Sequence, residues 1–208
     1  MGDSYSTFEG YIPEGYAIYY SKAGRPETDV TKVTETWWYQ VVEEAGLNLV
    51  LNNSWSGSTI GYTGWEMKDN SKTSSFIYRL QKLSDEGFFE KNKIDTMIVF
   101  GGTNDSWCDA PLGEMQYKNW KHEDLFFVLP AICCYFKKLK ETLPETDIYC
   151  CINTGLKTEV SDALKEMCEL HSITPIVFEN IAKACGHPTI QGMKDIKNKV
   201  LEELRQKR

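Results

Sequence analysis

Short apolar runs alternate with amphipathic helical segments along nearly the whole chain, and that alternation restricts the fold more than any other feature. Leu47–Leu51, Ile94–Phe100, Asp147–Ile152 and Thr174–Phe178 are short, rich in β-branched or aromatic residues, and bounded by turn formers, so they read as buried strands. Helical patterns lie between and around them. The first runs from about Thr34 to Ala45 and is closed by Gly46; the second runs from Ser74 to Glu86, followed by Gly87. A third covers Lys121 to Thr142, with Pro130 expected to bend it. A fourth runs from Thr158 to Leu170, and the last from Thr189 close to the C-terminus. Strands that are apolar throughout belong in a parallel sheet covered on both faces, which predicts an α/β three-layer sandwich. No repeat, low-complexity tract or linker interrupts the pattern, so residues 1–208 read as one domain.

A chain of 208 residues can bury a sizeable core, and 41% apolar with 25% charged residues is ordinary for a globular protein. The net charge of −7 argues against bulk binding to nucleic acid or anionic lipid, which need a positive field. The C-terminal cations Lys194, Lys197, Lys199 and Arg205 are interspersed with Asp195, Glu202 and Glu203, as on a solvated helix face. Cysteine is present in an odd number, 7, with adjacent pairs at Cys133-Cys134 and Cys150-Cys151 and no metal-ligand spacing. These read as reduced core thiols. No apolar run approaches a membrane span, and no signal peptide precedes the first motif. As written the chain reads as cytoplasmic; a leader ahead of that motif would make it exported.

In open parallel sheets, ligands bind beyond the carboxyl ends of the strands. The residues there are Asn52-Asn53-Ser54-Trp55-Ser56-Gly57, Gly101-Gly102-Thr103-Asn104-Asp105 and Asn153-Thr154-Gly155, together with the segment leading to Gly186-His187-Pro188. Small polar residues, an Asn and a His therefore converge on one rim. Two long connections rich in aromatics, Gly and Pro, Phe8–Thr31 and Trp107–Trp120, are placed to shape a site there.

Taken singly, Gly2-Asp3-Ser4 is a common turn former and His187 an ordinary surface histidine. Their order along the chain is more informative. Gly2-Asp3-Ser4 comes first, then Ser56-Gly57-Ser58-Thr59, Gly101-Gly102-Thr103-Asn104-Asp105, and Gly186-His187-Pro188-Thr189. In this the sequence resembles the SGNH hydrolases, also called GDSL esterases and lipases, whose four motif blocks occur in that order. The stretch from Asp3 to Pro13 also resembles a bacterial subgroup of the family. The resemblance implies a flavodoxin-like parallel sheet of order 2-1-3-4-5 and ester hydrolysis through an acyl-enzyme. It also implies roles: Ser4 as nucleophile, His187 as base, and the Ser4 and Gly57 N–H groups with the Asn104 amide as oxyanion hole. Asp3 and Asp105 would support them.

Those residue types suit that chemistry. A serine hydroxyl becomes a useful nucleophile when an imidazole of near-neutral pKa accepts its proton and later returns it to the leaving alkoxide. Fixed neutral donors stabilise the developing oxyanion, and glycine allows close backbone approach.

This chain departs from the family pattern twice. The Asp usually found three residues before the His is Ala184 here. A backbone carbonyl near Ala184, or else Glu179, is then expected to orient His187. The family also has a strand immediately before Gly-Asp-Ser, where this sequence has Met1 alone. That strand is central, so either the sequence is a shortened version of a longer product, another segment fills the slot, or the protein is reorganised and inactive.

Trp37-Trp38 reads as core packing, while Trp65 and Trp107 lie in rim loops where flat faces suit a sugar ring or acyl group. Gly101-Gly102 lacks a phosphate-loop pattern, and His122, His171 and His187 lack ligand spacing. No cofactor and no metal is therefore expected. The reading is a serine esterase releasing a small acyl group, acetyl for instance, from a carbohydrate or other small alcohol, with no nucleic-acid or membrane partner. A catalytically silent ester- or sugar-binding module on the same fold is the alternative.

Overall fold

A computed structural model describes residues 1–206. Three parallel strands, β1 (Thr96–Phe100), β2 (Asp147–Ile152) and β3 (Thr174–Val177), form the sheet in the order β1-β2-β3. The helices are α1 (Trp37–Ala45), α2 (Phe76–Asp85), the short α3 (Phe88–Lys91) and α4 (Thr103–Trp107), α5 (Val128–Thr142), α6 (Thr158–Leu170) and α7 (Ile190–Gln206). A small hairpin, β4 (Lys183–Ala184) and β5 (His187–Pro188), precedes α7.

Side-chain alternation along the strands builds a core on each face of the sheet. Ile148, Cys150 and Ile152 of β2 pack with Leu80 of α2, Ile132 and Phe136 of α5, and Leu164 of α6. Tyr149 and Cys151 face the other way, with Val41 of α1 and Met193, Ile196 and Val200 of α7. Helices thus cover both faces, and the molecule is a three-layer α/β/α sandwich. Trp37 and Trp38 are buried in the second core. Six cysteines are buried and unpaired, and Cys185 is exposed.

The helix expected from Lys121 to Thr142 is instead two elements. A 3-10 turn covers Glu123–Phe126, and α5 starts afresh after Phe127. Pro130 therefore falls in the first turn of α5, where its missing N–H has no intrahelical acceptor to lose. The neighbouring orphan donors find loop carbonyls: Val128 N–H bonds Pro111 O at 2.9 Å and Leu129 N–H bonds Leu112 O at 2.8 Å. Gly46 closes α1 in the left-handed conformation, as expected of it.

The larger correction concerns Leu47–Leu51, which is not a strand. Leu49 and Val50 are 45% and 48% exposed. The slot between this segment and β1 is entered only by Met1 and Gly2. Gly2 bridges in parallel to Ser54 on one side and Phe100 on the other, holding the place of a central strand for one residue. Among the described residues no strand lies between Leu47–Leu51 and β1 beyond Met1, and Thr96, Met97 and Ile98 are only partly buried. None of the described segments fills the slot.

Candidate active site

The Asp3 N–H bonds the Phe100 carbonyl at 3.2 Å, which seats the first motif at the carboxyl end of β1. Ser4–Ser6 then forms one 3-10 turn, capped by the Asp3 carboxylate accepting from Tyr5 N–H. Asp3 is fully buried, and burial pushes its carboxyl up to about 7. Ser4 is almost wholly buried, with its hydroxyl 3.0 Å from His187 Nε2.

His187 is presented by the β4–β5 hairpin, in which Ala184 pairs with His187 across the two-residue turn Cys185-Gly186. Both turn residues have positive φ, 46° and 79°, as a tight antiparallel turn of the primed type demands. The turn turns the Cys185 carbonyl back under the ring, 3.2 Å from Nδ1. A carbonyl can only accept, so Nδ1 carries the proton and Nε2 is left bare to accept from the Ser4 hydroxyl. The carbonyl expected near Ala184 is thus that of Cys185, because Ala184 is held in the hairpin ladder. Glu179 is exposed and does not meet the imidazole, whose ring bonds go to Ser4 and Cys185. Burial holds the His187 pKa below the usual imidazole value; the Cys185 carbonyl opposes this, and the charges of Arg25 and Lys183 add to it.

Asn104 lies in α4, which starts after Gly102 at φ 88°. Its amide is fixed at both ends: Oδ1 accepts from Trp65 Nε1 at 2.9 Å, and Nδ2 donates to Ser58 O at 2.9 Å. That leaves the second amide N–H available. Gly57, at φ 78°, sits in the turn just before Ser58, beside Trp65. Asp105 is buried and binds the same loop, accepting from Ile60 N–H at 2.9 Å and Gly61 N–H at 3.1 Å. Burial raises its pKa to about 6. Trp65 is 46% exposed, and the Trp107 ring edge packs against Gly186 next to His187.

Several residues at the site escaped the motif reading. Tyr19 stacks on His187 with centroids 3.5 Å apart, and the Arg25 guanidinium covers the Tyr19 ring at 4.3 Å. Both come from the long loop 8–31, whose aromatic richness was the available signal. Tyr20 donates to Pro188 O at 2.9 Å, anchoring the hairpin. Lys183 donates to Asn153 Oδ1 at 3.0 Å and Thr154 Oγ1 at 2.7 Å. Arg79, 1% exposed, ties Gly2 O, Asn53 O and Ser58 Oγ together from the apolar face of α2. Its signal was a cation within the stripe Phe76, Leu80, Leu83. Among the described residues no cluster of His, Cys, Asp or Glu is placed to hold a metal ion.

Four motif blocks distant in sequence thus gather at one end of one sheet, and residues 1–204 match the family model of GDSL-like lipases/acylhydrolases. The chain belongs to that family. A protein described as a GDSL-like lipase from Bacteroides uniformis is 42% identical, with 99% of this chain and 93% of that one covered at a TM-score of 0.89. Another so described, from Bacteroides ovatus, is 38% identical over 99% and 95% of the two chains, with a TM-score of 0.90. An acetyl xylan esterase from the rumen bacterium Butyrivibrio proteoclasticus is 15% identical over 99% of this chain and 62% of that one, at a TM-score of 0.60, a likeness of fold. None of the curated proteins matches this GDSL-family chain by sequence. Among its described residues no helix is long and apolar enough to cross a membrane.

Proposed function

We propose that this single-domain GDSL hydrolase cleaves a small acyl ester of a carbohydrate or similar alcohol through an acyl-enzyme on Ser4. The observation that carries the reading is the Ser4 Oγ to His187 Nε2 distance of 3.0 Å, with Nδ1 committed to the Cys185 carbonyl. In the proposed reaction His187 takes the Ser4 proton as Oγ attacks the ester carbonyl. The oxyanion is met by the N–H groups of Ser4 and Gly57 and by the second N–H of the Asn104 amide. Collapse of the tetrahedral adduct expels the alkoxide, which takes the proton from His187 Nε2. Water activated by the same imidazole then releases the acid and restores Ser4.

The small-acyl, carbohydrate part of the reading rests on the rim. Trp65 is 46% exposed beside the site and Trp107 lies next to Gly186, and the structure that shares the fold at a TM-score of 0.60 is described as an acetyl xylan esterase. A carbonyl on Nδ1 orients the ring but does not stabilise an imidazolium as a carboxylate does, which implies a modest turnover. That feature also favours the second reading, a module that binds the ester or sugar without turning it over.

Hydrolysis of p-nitrophenyl acetate by the wild type and by Ser4→Ala separates the two. The esterase reading expects a loss of at least about 10³-fold in kcat/KM. Equal rates for the two proteins would establish the binding module instead.

A further inference from the structure

Lys183 opens the hairpin that presents His187, yet its side chain leaves the hairpin for the end of β2. The ammonium donates to Thr154 Oγ1 at 2.7 Å, to Asn153 Oδ1 at 3.0 Å and to Thr154 O at 3.4 Å, so each of its three N–H groups has an acceptor. All three acceptors are neutral. The cation is partly buried, and no salt bridge among the described residues includes it. Burial accordingly holds its pKa below the usual lysine value, with the charge of the buried Asp3 opposing. A cation withdrawn from water without a carboxylate partner costs stability, and an apolar side chain of similar length would avoid that cost. Packing alone therefore does not explain a lysine here. A task that needs three donors at one point does.

The contacts reach both halves of the site. Asn153, whose Oδ1 receives Lys183, donates through Nδ2 to Thr103 Oγ1 at 3.1 Å. Thr103 opens α4, and its neighbour Asn104 is the proposed oxyanion donor. Lys183, Asn153 and Thr103 thus link the strand beside the base to the helix that carries the amide. Other groups grip the hairpin elsewhere. Tyr5 OH donates to Gly186 O in the turn, Tyr20 OH to Pro188 O of β5 at 2.9 Å, and Thr189 N–H to Ala182 O at the base at 3.0 Å. On β4 the side-chain hydrogen bonds are those of Lys183. The hairpin depends on such anchors, because Cys185 holds φ 46°, which a non-glycine residue keeps only where its surroundings impose it.

The two ring bonds of His187 differ in kind. Nδ1 meets a carbonyl of the same hairpin, which travels with the ring, while Nε2 meets Ser4 on a separate segment. A hairpin released from β2 would keep the first bond and lose the second. We propose that Lys183 is a positioning residue, which ties β4 to the end of β2 and to α4 and so sets His187 Nε2 against the Ser4 hydroxyl. The Cys185 carbonyl orients the ring within the hairpin; Lys183 places the hairpin. This inference rests on the reading of Ser4 and His187 as nucleophile and base.

The test compares wild type, Lys183→Met and Thr154→Val. On p-nitrophenyl acetate, Lys183→Met should lose about 10–100-fold in kcat, with KM within about threefold. Besides burial, the charges of Arg25 and Lys183 hold the His187 pKa down, so losing one should also move the acid limb of kcat/KM to higher pH. Thr154→Val removes one acceptor but keeps the charge, and should cost about 3–10-fold with that limb in place. The double variant should be no slower than Lys183→Met alone, since both changes break one tether. Nitrogen-15 spectra of the imidazole at about pH 8, assigned by the loss of signal in His187→Gln, read the same geometry without turnover. In Lys183→Met the Nε2 resonance should move to where Ser4→Ala places it, because both variants lose the same hydrogen bond, while Nδ1 stays protonated. An Nε2 resonance unmoved in Lys183→Met would overturn the proposal whatever the rate, and so would a moved resonance with kcat unchanged. If the wild type hydrolyses nothing, the esterase reading fails separately, and the Nε2 resonance alone decides whether Lys183 places His187.

Discussion

The imidazole of His187 lies flat on the ring of Tyr19, with centroids 3.5 Å apart and planes 8° from parallel. The stack restrains ring tilt, while the Cys185 carbonyl restrains rotation through Nδ1. Together they supply the orientation that a carboxylate would otherwise give. Tyr19→Ala should lower kcat on p-nitrophenyl acetate by about 10–100-fold with little change in KM, because a misdirected base costs rate rather than binding. Tyr19→Phe keeps the face and should stay within about threefold of wild type. A Tyr19→Phe variant as slow as Tyr19→Ala would refute the orienting role.

The pH dependence follows from the same imidazole. In the proposed role of base His187 must be neutral, and its pKa is held below the ordinary value mainly by burial, with Arg25 and Lys183 adding to the effect. The acid limb of kcat/KM against pH should therefore fall below about 6.5. Removing the Arg25 charge removes one influence that disfavours imidazolium, so Arg25→Gln should move that limb to higher pH. A limb that stays in place, or moves down, would contradict the assignment of His187 as the titrating group.

Much of this architecture was legible because it depends on patterns with a period. Strand β2 matches its apolar run Asp147–Ile152 residue for residue, and α6 its stripe from Thr158 to Leu170. Leu47–Leu51 has the composition of a strand, but among the described residues no strand pairs with it, and pairing is not written in a strand's own residues. The motif blocks pointed to Ser4, Gly57, Asn104 and His187 through their order along the chain and the family resemblance that this order carries, since each residue type taken singly is a common turn former. Tyr19 and Arg25 were not legible, since nothing in loop 8–31 says which aromatic returns to the imidazole. The Cys185 carbonyl was missed by one residue for a related reason. Only the hairpin register Ala184↔His187 decides which carbonyl is free to turn inward.

Asn104 donates usefully only if its amide is held the right way round, and Trp65 holds it through the Nε1 bond to Oδ1 at 2.9 Å. Trp65→Phe keeps an aromatic face on the rim and deletes that bond. It should cost about tenfold in kcat, against about 10²–10³-fold for Asn104→Ala. In the double variant the Trp65 effect should vanish, since the group it orients is gone. Additive losses would instead mean that Trp65 acts on the substrate alone.

Asp3 links the motif to stability. Its folded carboxyl titrates near 7, against about 4 in an unfolded chain. Between those values the folded state keeps a proton that the unfolded state has released, so this group makes stability fall as pH rises through the window. Above about 7 the loss is complete. Asp3→Asn preserves an acceptor for Tyr5 N–H without the ionisation. Its urea midpoint should decline less between pH 5 and 7 than that of wild type. The buried Met1 amine, held down to about 5, changes stability in the opposite sense from there to its ordinary value, and is common to both proteins. An unchanged slope in the variant would remove Asp3 from the account.

Arg79 joins the first two motif blocks through one planar group. It donates to Asn53 O at 2.6 Å and Asn53 Oδ1 at 2.7 Å, to Ser58 Oγ at 3.1 Å, to Gly2 O at 3.2 Å, and to Ser74 O at 2.8 Å. Full burial lowers its pKa to about 10, which still leaves it charged near neutrality. Arg79→Met matches the bulk and fits the apolar stripe of α2, but strips a donor from each of those acceptors. Some of them keep a second bond: Gly2 O accepts from Trp55 N–H and Asn53 O from Gly2 N–H. The expected destabilisation is accordingly about 2–4 kcal/mol by urea denaturation, short of complete unfolding. Arg79→Lys retains the charge but offers three donors from one point, where the acceptors are spread around a fork, so it should rescue less than half of that loss. Full rescue by lysine would show that charge alone, and not the geometry of the guanidinium, holds Gly2 and Ser58 in place.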